Sequence, residues 1–125
     1  MEPLSEEQTA KIVAMAMDLA REGRTVELLE FVDHGLPVDT QDEAGNTALM
    51  LAAYRGHPET VRALVERGAD ADLCNNRGQA PIAGALFKGE DEVVTVLRAA
   101  GADLDAGTPT AREVAEMFGR AHLLE

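Results

Sequence analysis

Three histidines, one cysteine and a short acidic run are the side chains of this sequence that could carry catalysis or hold a metal. His34, His57 and His122 are dispersed along the chain. A protein-bound metal needs three or four convergent ligands, so none is predicted. Cys74 stands alone, which excludes an intrachain disulfide and a multi-thiolate cluster. As a nucleophile it would need a neighbouring base and cation to hold its thiolate, and no such pairing is evident in the sequence. Glu90-Asp91-Glu92 could serve acid–base chemistry or calcium, but the calcium-loop pattern is absent. Placed at a helix start, the same carboxylates oppose the positive end of the helix dipole, and that is the role predicted for them. No phosphate-cradling glycine loop, Gly-x-Ser-x-Gly or paired-histidine zinc motif occurs. The chain is read as a non-catalytic protein with neither cofactor nor metal.

The composition narrows the partners. The 125 residues are 46% hydrophobic and only 3% aromatic, and 23 acidic residues outweigh 11 basic ones for a formal charge of -12. That balance excludes a non-specific nucleic-acid binder, which needs positive charge to displace counterions from phosphates. The first residues, Met1 to Glu7, are acidic where a secretory signal would be basic. No apolar stretch approaches the roughly 20 residues that span a bilayer. A soluble, cytoplasmic monomer with no membrane partner is expected. Arginine far exceeds lysine, which occurs only as Lys11 and Lys88, and alanine is abundant; that usage is common in proteins of GC-rich bacterial genomes.

The elements that position these residues follow from the glycines. Gly23, Gly56 and Gly89 are spaced by 33, as are Gly35, Gly68 and Gly101; Gly45 and Gly78 repeat the step, and so do Asp39, Asp72 and Asp105. A fixed period of this size marks a repeat solenoid. Leu28-Phe31-Val32, Val61-Leu64-Val65 and Val94-Leu97 give one helical apolar stripe per unit. Each stripe runs into a glycine, the residue that takes the left-handed conformation ending a helix. The polar stretches 39–45 and 72–78 read as hairpin-like loops. Thr47 is placed to cap a second, shorter helix, and Ser5-Glu6-Glu7-Gln8 forms a capping box for the first. The predicted pairs are 6–22 with 24–34, 47–55 with 58–67, 80–88 with 90–99, and a shortened last pair, 110–118 with 120–124.

A longer motif runs through Asp42-x-x-Gly45-x-Thr47-Ala48-Leu49-x-x-Ala52-Ala53-x-x-Gly56-His57-x-Glu59 and on to Leu64-Val65-x-x-Gly68-Ala69-Asp70. Gly78, Pro81, Ile82, Ala85, Gly89, Glu92, Val94, Leu97 and Gly101-Ala102-Asp103 repeat it. In these residues the chain resembles an ankyrin-repeat protein over residues 10–122. The resemblance implies an all-α solenoid of helix-turn-helix units, a single domain over 1–125 with units near 5–38, 39–71, 72–104 and 105–125. Two inner repeats would lie between an N-terminal and a C-terminal capping repeat, and His57 would make structural hydrogen bonds in its Gly-His turn. Ala48 stands where the family has Pro, Met50 where it has His, and Ala80 where it has a capping Thr. Gly84 inside a helix costs about 0.5–1 kcal/mol relative to Ala, so unit three is expected to be the weaker inner unit. Met15, Met17, Met50 and Met117 read as core fillers rather than an adaptable groove.

The resemblance also implies that a partner protein binds the concave face, built from hairpin tips and the open side of the short helices. Arg21, Glu22, Gln41, Glu43, Ala44, Asn46, Tyr54 and Arg55 map there, followed by Arg67, Cys74, Asn76, Arg77, Gln79, Phe87 and Lys88. In an acidic chain this strip carries Arg21, Arg55, Arg67, Arg77 and Lys88 against Glu22 and Glu43, with Tyr54 and Phe87 among them. Arg and Tyr are enriched at interface hot spots. The acids Glu27, Glu30, Asp33, Glu59, Glu66 and 90–92 fall on the outer helices and keep the protein soluble. The expected function is a protein–protein interaction module for an anionic partner surface; the alternative is an accessory subunit assisting a redox or cofactor enzyme.

Overall fold

Helices shorter than about 12 residues are marginal in water, because nucleation is unfavourable and few hydrogen bonds follow it. Every helix of this chain but the first is below that length, and each is held by its neighbours. The structure, a computed structural model, describes residues 3–125. Met1 and Glu2, which open the acidic N-terminal stretch, lie outside the described residues. Seven α-helices cover just over half of the chain: α1 (Glu6–Glu22), α2 (Thr25–Asp33), α3 (Ala48–Tyr54), α4 (Pro58–Glu66), α5 (Pro81–Lys88), α6 (Asp91–Ala99) and α7 (Ala111–Met117), followed by a 3-10 turn, Ala121–Leu124.

They form two layers. The inner row is α1, α3, α5 and α7; the outer row is α2, α4, α6 and the 3-10 turn, and each inner helix packs on its outer partner and on the next inner helix. The inner helices approach closely because their contacts are made by alanine: Ala20, Ala52, Ala53, Ala85 and Ala115 are fully buried. Leu28, Val61, Leu64, Val94 and Leu97 seal the outer row against them. These stripe residues read from the 33-residue period are therefore core, whereas Phe31, Val32 and Val65 of the same stripes are half-buried. Met17 and Met50 join it, whereas Met15 and Met117 are exposed and fill nothing.

The helix starts follow the caps. Ser5 and Thr110 each close a capping box with Gln8 and Glu113, and Thr47 Oγ1 accepts from the Met50 amide at 3.1 Å. Ala80 offers no side-chain cap, and α5 starts instead on Pro81, whose fixed φ suits the first helical turn. One predicted helix is corrected. The helix predicted over 120–124 is a 3-10 turn, Ala121–Leu124. Carbonyls within and just after it are taken from outside, with Arg98 Nη1 donating to the Leu123 and Glu125 carbonyls at 3.4 and 3.0 Å.

The turn glycines close a second ladder between units. The His57 imidazole lies against Gly23, the Glu90 carboxylate against Gly56 and the Arg120 guanidinium against Gly89. His57 Nε2 is 2.7 Å from the Arg21 carbonyl; a carbonyl only accepts, so Nε2 carries the proton. Arg120 Nη1 donates to the Leu86 and Phe87 carbonyls at 2.9 and 3.2 Å. Both side chains thus serve carbonyls at the end of the preceding inner helix. Glu90, an acceptor, stands in the same place behind α3, where the dipole is negative.

Two stability results are expected. Leu97→Ala empties a fully buried site and should cost about 2–5 kcal/mol in chemical denaturation; an unchanged midpoint would remove α6 from the core. Glu90→His rebuilds the donor that His57 and Arg120 provide, and should raise stability by about 0.5–1.5 kcal/mol. A lowered midpoint would mean that Glu90 matters more to the start of α6 than to the end of α3.

Candidate functional site

The concave face is set by how each hairpin tip closes on itself. Asp42 Oδ1 accepts from the Ala44 and Asn46 amides at 3.0 and 2.9 Å, and Asn75 Oδ1 accepts from those of Arg77 and Gln79 at 3.0 and 3.1 Å. The tips are also tied to each other. The Asn76 amide donates to the Ala44 carbonyl and its side chain to the Glu43 carbonyl, both at 2.9 Å. This contact needs Gly45, buried at φ 79°, because any Cβ there would collide with Asn76. Asn46 and Gln79 are held by one amide: Asn75 Nδ2 donates to Asn46 Oδ1 at 2.9 Å and to Gln79 Oε1 at 2.8 Å. Asn76 is thus a structural tie. Asn75, absent from the predicted strip, is the node that orients three of its members. Its signal was its place 33 residues after Asp42, at the head of the second tip.

Between the tips and the inner helices runs a groove of about 370 Å³. Arg21, Asn46, Tyr54, Arg55, Arg77 and Gln79, all predicted, line it. A smaller hollow of about 120 Å³ continues past Tyr54 and Gln79 to Phe87. Glu43 lies on the other side of Arg21, in a groove between α1 and the first tip. The Tyr54 and Phe87 rings are nearly parallel at 6.5 Å, and Phe87 meets Phe118 edge-on at 5.3 Å, within the range of favourable aromatic pairs. Lys88 Nζ sits 5.1 Å from the Tyr54 ring centroid and the Arg120 guanidinium 5.4 Å from that of Phe118. Phe118 was missed. It stands one residue before Gly119, as Lys88 does before Gly89, and that register was the available signal.

An ankyrin-repeat family model matches residues 16–108, which is most of the chain and all of its inner units. The chain belongs to the ankyrin-repeat family. A Pseudomonas aeruginosa protein named for its ankyrin repeats is similar to it, 40% identical over 55 residues, or 44% of this chain. That match spans about a third, 32%, of the relative's own length. Ankyrin repeats are in general protein–protein interaction modules rather than catalysts.

The side chains with other chemistry are occupied as structural parts of the ankyrin stack. Cys74 is half-buried with its thiol towards the Asp72 carbonyl, and burial, followed by the charges of Asp72 and Asp70, pushes the thiol's pKa up, so it stays protonated. His34 Nδ1 is bonded to the Glu30 carbonyl at 2.7 Å, and His57 serves the turn described above. Among the described residues no group of three His, Cys, Asp or Glu side chains could hold a metal ion. No helix there is long and apolar enough to cross a membrane.

Two of the predicted cations need correction. Arg21 is on the groove, but Asp18 at 2.9 Å and Asp42 at 4.0 Å neutralise it. Arg67 is not on the concave strip. It caps α4 in the outer row, where its guanidinium grips Asp33 at the end of α2 through Nε at 2.9 Å and Nη2 at 3.2 Å. Glycines end both kinds of helix, and Arg67 precedes one that ends an outer helix. The Arg67 hydrogen bonds, and then its charge, hold the Asp33 carboxyl below the usual range. A lowered folded-state pKa stabilises above the usual carboxylate range and is lost as pH falls through the lowered value. The melting-point gap between wild type and Asp33→Asn should therefore be present at neutral pH and close in acid. A gap constant down to strong acid would mean that the pair acts through shape alone.

Proposed function

We propose that this chain is a monomeric, four-unit, non-catalytic binding module that holds an anionic surface of a partner protein against its concave strip. One observation carries the reading. Lys11, Arg21, Arg24, Arg67 and Arg112 are each paired with a carboxylate, and Arg98 and Arg120 are spent on carbonyls. The cations without such a partner among the described residues are Arg55, Arg62, Arg77 and Lys88; Arg55 and Arg77 line the groove with Tyr54, and Lys88 lies over the Tyr54 ring. In a chain of net charge -12, that places the unspent positive charge beside exposed aromatic surface. Charge of this kind steers encounter and falls in effect with salt, while the buried Arg and aromatic anchors govern release.

The test is a charge reversal with a matched control. Arg55→Glu with Arg77→Glu alters exposed residues and should leave the helical circular dichroism unchanged. It should weaken the purified partner, once captured from the native host, by about 2–4 kcal/mol for each true hot spot. Glu59→Lys with Glu66→Lys, on the outer face of α4, should change affinity little. If the control pair abolishes binding and the arginine pair does not, the site lies on the convex surface.

A further inference from the structure

The repeat register contains one missing side chain on the concave face. Five residues before the glycines that follow α3, α5 and α7 stand Leu51, Gly84 and Val114. Leu51 and Val114 are almost completely covered, each filling its unit's share of the face. At Gly84 there is nothing to fill it. A Cβ there would lie 3.1 Å from Met50 Cε and 3.6 Å from Tyr54 Cδ2, so the Met50 tip and the Tyr54 ring have moved in over the glycine without covering the whole of its surroundings. What remains is the 120 Å³ hollow, walled by Met50, Tyr54, Phe87, Pro109 and Val114.

We propose that this hollow is a specificity pocket for one branched aliphatic side chain, Leu, Ile or Val, of an acidic partner segment; this rests on the concave-strip reading above. The walls are apolar except at Gln79, whose amide oxygen is taken by Asn75, and this selects an apolar side chain. The size limits it further: a cavity of about 150 Å³ holds benzene, so 120 Å³ admits an aliphatic group and is too small for an indole. The charge of the flanking residues follows from the cations already placed. Lys88 lies over Tyr54, and Arg55 and Arg77 line the adjoining groove. A cationic segment would meet like charge beside the hollow, whereas carboxylates flanking the aliphatic residue would meet their complements.

The experiment uses fluorescein-labelled nine-residue peptides of Asp, Glu and Gly whose central residue is Leu, Ala or Trp, titrated by anisotropy at low salt. The Leu peptide should bind about 10- to 50-fold more tightly than the Ala peptide, the value of burying its additional carbons, and the Trp peptide no better than Ala. Gly84→Ala directs a methyl group into the hollow against the movable tip of Met50. It should fold at least as stably and should cut the preference for Leu to under about threefold, with the Ala peptide's affinity unchanged. Gly84→Val, which copies Val114, is the second variant and should abolish the preference. Arg77→Glu should weaken the Leu and Ala peptides alike. Equal binding of Leu and Ala peptides to wild type, or a Leu preference that survives both Gly84 variants, overturns the pocket and leaves the strip reading standing. Binding indifferent to Arg77→Glu, or no binding by either peptide, overturns the acidic chemistry and the pocket with it.

Discussion

The contact between inner helices, one alanine-lined surface laid on the next, is the interaction from which the rest of the molecule follows. Helices of seven to nine residues cannot persist on their own hydrogen bonds. They persist because each packs on its neighbours; α3 and α5 have an inner helix on both flanks, and α3 exposes little besides Tyr54. Alanine permits that closeness while adding no side-chain entropy to be lost. Stability in such a stack is a sum of unit and nearest-neighbour terms, so a fault in one interface is felt by the units on either side of it.

Polar groups set the register that this packing alone would leave loose. Asp39 and Asp72 carboxylates each accept an amide from the following loop, at Asp70 and Asp103, at 2.9 and 2.7 Å. The Thr25 and Thr60 hydroxyls meet at 2.7 Å between α2 and α4. Among the described residues no buried side-chain nitrogen or oxygen lacks a partner. Apolar surface supplies the attraction and is tolerant of sliding; these directional bonds are not.

The fold was legible because the period was written in glycine and aspartate, residues whose backbone roles are tied to turns. The predicted helix boundaries hold to within a residue or two for that reason. The candidate groove was legible as a row of residues and not as a charge distribution. Whether Arg21 and Arg67 are free depends on Asp18, Asp42 and Asp33, and no spacing rule states that. The same glycine signal ends inner and outer helices, so it could not tell the side of Arg55 from the side of Arg67. The tie between Asn75, Asn46 and Gln79 crosses two tips and has no counterpart in local sequence.

The aromatic file is drawn from three successive units: Tyr54 ends α3, Phe87 lies in α5 and Phe118 follows α7. In a linear stack each unit opens against the neighbours it packs on. A molecule lying along this file would touch three units at once. Opening the unit of α7 would then break contacts with that molecule as well as with α5. Occupancy of the file and local order of that unit would be linked by mass action, so such a molecule would act as a clamp laid across the units.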